Sequence, residues 1–119
     1  MSTGYFAIHA TDKPGLGALR DSLRESHRAY LRAPGATGVE VVLGGPLLDD
    51  AGRMNGTLLV VRAPDRAAVE RFLAADPYSR GALFERVDIR AWRWGIGQPG
   101  ADASSQRPGA AEPSGRTGA

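Results

Sequence analysis

"YFAIHATDKPGLGALRDSLRESHRAYLRA" (residues 5–33) changes its hydrophobic period part-way along, and that change decides the fold. Residues 5–11 read as a strand in which Phe6 and Ile8 share one face and His9 projects to the other. "DKPG" at 12–15 stops it, and Pro14 is expected at the start of a helix, since deeper inside one it would remove a backbone hydrogen bond and clash. Beyond it Leu16, Leu19, Leu23, His27 and Tyr30 recur at steps of three and four, one face of a helix expected from about Pro14 to Ala33. His27 is thus set into a stripe whose other members are all apolar.

The alternation of element types continues outward. "VEVVL" (39–43) and "TLLVV" (57–61) are β-branched strands joined by a loop with "DDAG" and "NG" turn signals. "DRAAVERFLAA" (65–75) is a helix with Asp65 as N-cap and Val69, Phe72 and Leu73 as its apolar face. "DPYSRGALF" (76–84) offers Asp76 as a second N-cap with Pro77 at the first helical position, and "RVDIRAWRW" (86–94) is a last strand. The order βαββαβ predicts a ferredoxin-like α+β fold, an antiparallel sheet with both helices on one face. A sheet covered on one side should alternate apolar and polar residues, yet "TLLVV" is apolar on both faces. The uncovered face therefore wants a second cover, and a homodimer packed sheet against sheet is the expectation.

Composition sets the outer bounds. At 119 residues and 42% hydrophobic, the chain suffices for one core and falls short of two ordinary domains. From Gly95 onward six Gly and three Pro accompany one large apolar residue, too little burial to offset ordering. Residues 1–94 are therefore expected to form the domain and 95–119 a disordered tail. Fifteen cationic against thirteen acidic residues give +2 without a clustered basic run, so neither nucleic acid nor membrane is expected as a partner. Cysteine is absent, which excludes disulfides and thiolate chemistry. No basic segment followed by an apolar run opens the chain, and a cytoplasmic location is expected. The third strand, "NGTLLVVR" (55–62), is aliphatic where RNA-recognition modules of the same element order stack bases on aromatic rings.

Few residues are candidates for chemistry. His27 is either a buried histidine satisfied by a backbone carbonyl or a group that exchanges a proton near neutral pH. Asp76 is a helix cap with acceptor sites to spare, so one oxygen can cap while the other meets a donor. Arg24, one turn before His27, either clamps an anionic substrate or pairs in solvent with Asp21. Gly44, Gly45 and Pro46 either bring backbone close to a ligand or end a strand. Tyr78 supplies a pocket wall, a phenol hydrogen bond or ordinary core. Trp92 and Trp94 share a face of the last strand and suit dimer packing, and His9 lines an inter-sheet pocket if a second copy covers its face. Two histidines without cysteine, at no ligand spacing, imply no metal, and no phosphate loop, dinucleotide fingerprint or nucleophile elbow implies a cofactor.

Arg24 and His27 in "RESH", "GGP" at 44–46, Gly56-Thr57 opening the third strand and "DPYSRGALFE" at 76–85 together resemble the YciI-like (YCII-related) family over about residues 5–94. That resemblance implies a small dimeric α+β barrel protein, related in fold to muconolactone isomerase. It also implies a pocket in which His27 and Asp76 form a pair. One such protein eliminates HCl from a chlorinated hydroxyquinol, so the resemblance implies a lyase or isomerase acting on a hydroxylated or enolisable ring. His27 then moves the proton and Asp76 orients it, while Arg24, Gly45, Pro46, Thr57 and Tyr78 contact the small-molecule substrate. The chain departs from the family at 38–45, one residue longer, and at Thr57, where Ser is common. A rival resemblance is shorter: "ATDKPGLGALRDSL" (10–23) is similar to the opening of ACT domains, which implies a small-ligand sensor in which His27 has no catalytic part. A non-catalytic binding scaffold is the third possibility.

Overall fold

The computed structural model describes residues 3–98, so nearly all of the tail expected over 95–119 lies outside the described residues. Strand β1 (Gly4–Asp12) leads into helix α1 (Gly17–Arg32), then strands β2 (Glu40–Leu48) and β3 (Met54–Ala63), helices α2 (Arg66–Ala75) and α3 (Pro77–Arg80), and strand β4 (Phe84–Trp92). All pairings are antiparallel and the strand order is β2-β3-β1-β4. With the helices on one face, this is the ferredoxin-like α+β arrangement that the element order predicts. Among the described residues no helix is long and apolar enough to cross a membrane.

The period-two rule places the core. Ile8, Leu59 and Val61 point towards the helices and meet Val69 and Phe72 of α2, all buried. Their sequence neighbours His9 and Leu58 point to the uncovered face and are exposed. Asp65 caps α2 as expected, its side chain accepting the Ala68 N–H at 2.9 Å.

Four boundaries differ from the sequence reading, each for a local reason. Helix α1 begins at Gly17, with Pro14 outside it, because Gly15 adopts φ +79°, a left-handed conformation that no right-handed helix contains. Strand β2 does not stop at Leu43 but runs through Gly44-Gly45-Pro46 to Leu48. It is an edge strand, where a proline without N–H is tolerated. "NG" is not a turn: Asn55 and Gly56 lie inside β3, and Gly56 is small because a Cβ there would stand 2.6 Å from the Ala10 carbonyl oxygen. The turn is made instead by Asp49, whose Oδ1 accepts the N–H groups of Ala51 and Arg53, both at 2.9 Å. Strand β4 ends at Trp92, so Trp94 lies beyond it, edge-on to Tyr5 and Trp92. Within β2 the register shifts at a bulge: Val41 opposes Val61 and Leu43 opposes Val60, leaving Val42 unpaired.

Candidate active site

Pro77 shapes the first half of the site. It pushes the residue before it out of helical conformation, so Asp76 sits at φ −64° and ψ 131°, ending α2 and capping α3. Its Oδ1 accepts the Tyr78 N–H at 2.9 Å, the cap that the sequence predicts. Helix α1 packs against α3 and brings His27 to the same carboxylate, with Nδ1 at 2.8 Å from Oδ1. Both residues are buried. The expectation that one oxygen caps while the other meets the imidazole is corrected: Oδ1 does both, because the cap fixes that oxygen on the side where α1 arrives. Oδ2 is buried with no hydrogen-bond partner among the described residues.

An ionised carboxylate only accepts, so Nδ1 carries the proton and the neutral ring has its lone pair on Nε2. The Tyr78 ring lies flat against the imidazole, centroids 3.8 Å apart at 15°. Burial raises the Tyr78 phenol above its ordinary value, a shift that the nearby Arg20 charge opposes.

Arg20, which the sequence reading passed over, shapes the other half. It and His27 are the two buried residues of α1, seven apart on one face, while Leu16, Leu19 and Leu23 are only half-buried. The Arg20 fork grips Asp12 with Nε on Oδ2 at 2.7 Å and Nη2 on Oδ1 at 3.0 Å. Nη2 also donates to Thr57 Oγ1 at 2.7 Å, and Nη1 reaches the Tyr78 hydroxyl at 3.5 Å. Burial, the largest single influence, disfavours the Arg20 charge, but the hydrogen bond to Asp12 and the charges around it, that of Asp12 foremost, together outweigh burial and the guanidinium is held more firmly protonated than usual.

Between these halves opens a cavity of about 180 Å³. An apolar cavity of about 150 Å³ accepts benzene, so this one has the size of a single substituted ring. His27, Arg20, Thr57 and Tyr78 line it, with Gly45 and Pro46 entering from β2 and Arg24 at one side. Arg24 pairs with Asp21 as its solvent reading predicts, and still lines the cavity. The strand thus brings "GGP" to the cavity from its interior rather than from its end. Trp92 and His9 lie elsewhere, on the sheet face turned away from the helices, His9 opposite Leu58 and Asp88.

A family model described as the YCII-related domain matches residues 5–93. The chain belongs to that family. Among solved structures, this YCII-related chain is similar to 5-chloro-2-hydroxyhydroquinone dehydrochlorinase (TftG) from Burkholderia phenoliruptrix AC1100, solved in complex with 2,5-dihydroxybenzoquinone. Identity is 29%, with 76% of this chain and 95% of that one covered and a TM-score of 0.66. A Bacteroides thetaiotaomicron protein described as a candidate antibiotic biosynthesis monooxygenase shares the fold at 14% identity, 85% and 95% coverage and a TM-score of 0.53. Among proteins of curated function, none matches the chain.

Proposed function

We propose that this YCII-related protein is a small-molecule enzyme that moves a proton on a hydroxylated or enolisable ring, with His27 as acid and base and Asp76 as its orienter. One observation carries the reading: a buried carboxylate oxygen lies 2.8 Å from Nδ1 of an imidazole that walls a ring-sized cavity. Nε2 takes a proton from a ring hydroxyl or an acidic ring carbon, and the Asp76 charge stabilises the imidazolium that results. In a lyase course the freed electron pair forms a new C=O or C=C bond and a leaving group departs with its own pair. In an isomerase course the imidazolium returns the proton to another ring carbon. TftG, whose name places a chlorinated, hydroxylated ring among its substrates, supports the substrate class. Arg24, Gly45, Pro46, Thr57 and Tyr78 contact the ring in this reading, and a second copy of the chain covers the open sheet face.

The test is turnover. Hydroxyquinols, catechols and lactones are incubated with the wild-type chain and with His27→Gln. The expected result is conversion of at least one compound, falling by about 10²-fold or more in the variant, the usual contribution of a positioned proton-transfer group. Conversion that is equal in the two proteins would overturn the reading. An ACT-like sensor would instead gain thermal stability with an amino acid, and would keep that gain in His27→Gln.

A further inference from the structure

Away from the His27 imidazole, the side chains of the cavity are rich in hydrogen-bond donors. Arg20 is 3% exposed, and spends Nε and Nη2 on Asp12 and Thr57. Its Nη1 carries two N–H groups, yet makes only the long 3.5 Å contact with the Tyr78 hydroxyl. The Thr57 and Tyr78 hydroxyls both serve Arg20 as acceptors, and each still has its O–H to donate. Both are buried, and both line the cavity with Arg20. Among the described residues no carboxylate lines it, since Asp12 is occupied by the Arg20 fork and Asp76 stands behind His27. Residues seven apart on a helix are about 10.5 Å apart along its axis. The Tyr78 ring, centred 3.8 Å from the imidazole and 4.6 Å from the Arg20 guanidinium carbon, therefore stands between them.

We infer that Arg20, Thr57 and Tyr78 form a fixed group of donors that binds an ionised ring oxygen, a phenolate or enolate, in preference to its neutral form. This deepens the proton-transfer reading, on which it rests, by naming the ionisation state of the ligand and a specificity-determining residue, Arg20. Donors held in place beforehand by buried partners need no reorganisation when the charge arrives, which is the condition under which such groups stabilise an oxyanion most. The other charged or titratable groups facing them are His27, Arg24 and Arg28 of α1, Asp12 of β1 and Asp76 at the cap of α3.

The experiment uses 4-nitrophenol, whose ionised and neutral forms differ in colour, titrated into the full chain at a pH where both forms coexist free in solution. The expected result is that bound ligand is enriched in the ionised form by about tenfold or more. Thr57→Val and Tyr78→Phe, which each remove one O–H and leave the Arg20–Asp12 fork in place, should each cut the enrichment about tenfold, as for one hydrogen bond to a charged group. His27→Gln should keep it. Absence of binding, equal binding of both forms, or an enrichment lost only in His27→Gln would overturn the inference. His27-dependent turnover without enrichment would refute the donor group alone, and enrichment without any His27-dependent turnover would refute the enzyme reading alone.

Discussion

Asp12 and Asp76 are both buried carboxylates, but they hold different kinds of partner. Asp12 faces a guanidinium that stays charged at any ordinary pH, so removing it leaves Arg20 with an uncompensated buried charge. Asp12→Ala is expected to lower the unfolding free energy by about 3–5 kcal/mol in a denaturant titration. Glu40→Ala, which breaks the exposed pair with Arg62, should change it by less than about 1 kcal/mol. Tyr78 adds a pH dependence of definite sign. Its phenol is raised by burial above 10.0, so the folded state holds that proton more tightly than the unfolded chain. The stability gained is whole below about pH 10 and is lost as pH rises through the folded value. The urea midpoint should therefore fall in alkaline solution, and fall less in Tyr78→Phe, the remainder coming from Tyr30, whose phenol burial also raises. At this scale His27 was legible because an imidazole interrupts a run of leucines. Arg20 was not, since α1 carries Arg24, Arg28 and Arg32 as well, and one arginine looks like another until a partner is assigned. The partner, Asp12, belongs to the preceding strand, and only the three-dimensional path of "TDKPG" shows that it turns back onto α1.

Elements were legible in order and type, and less so at their ends. The strand-to-helix switch after Asp12 was plain from the change of period, but the sequence offers both Pro14 and Gly15 as punctuation, and the glycine prevails through its positive φ. That assignment predicts opposite outcomes two residues apart. Gly15→Ala forces a side chain into the left-handed region and should destabilise by about 1–2 kcal/mol. Gly17→Ala, in the first turn of α1 with nothing within 4 Å of its added methyl, should stabilise by about 0.4–1 kcal/mol. Both are read as shifts of the thermal midpoint. Strand β2 illustrates the other limit. Gly-Gly-Pro normally terminates a strand, and nothing local says that this one is an edge, where such residues persist and bring backbone to the cavity.

For the whole molecule, the absent alternation of "TLLVV" pointed beyond the single chain, and the sheet makes the point concrete. Its uncovered face presents an apolar residue from every strand: Tyr5 from β1, Leu43 from β2, Leu58 from β3 and Trp92 from β4. Leu43, Leu58 and Trp92 remain 41%, 39% and 37% exposed, whereas Ile8, Leu59 and Val61 on the helix side are buried. Large apolar residues on an open sheet face are costly to leave in water and can meet their own copies when a second chain packs about a two-fold axis. Sedimentation equilibrium at micromolar concentration should accordingly report two chains per particle. Leu58→Lys, placing a charge near the middle of that face, should give one chain per particle. Because the cavity opens on the opposite side of the sheet, between α1 and the Gly44–Pro46 stretch, the monomeric variant should retain the His27–Asp76 contact and the ring-sized space beside it. A wild-type particle of one chain would remove the reason for the apolar face, and the second copy would then be absent from the proposed assembly.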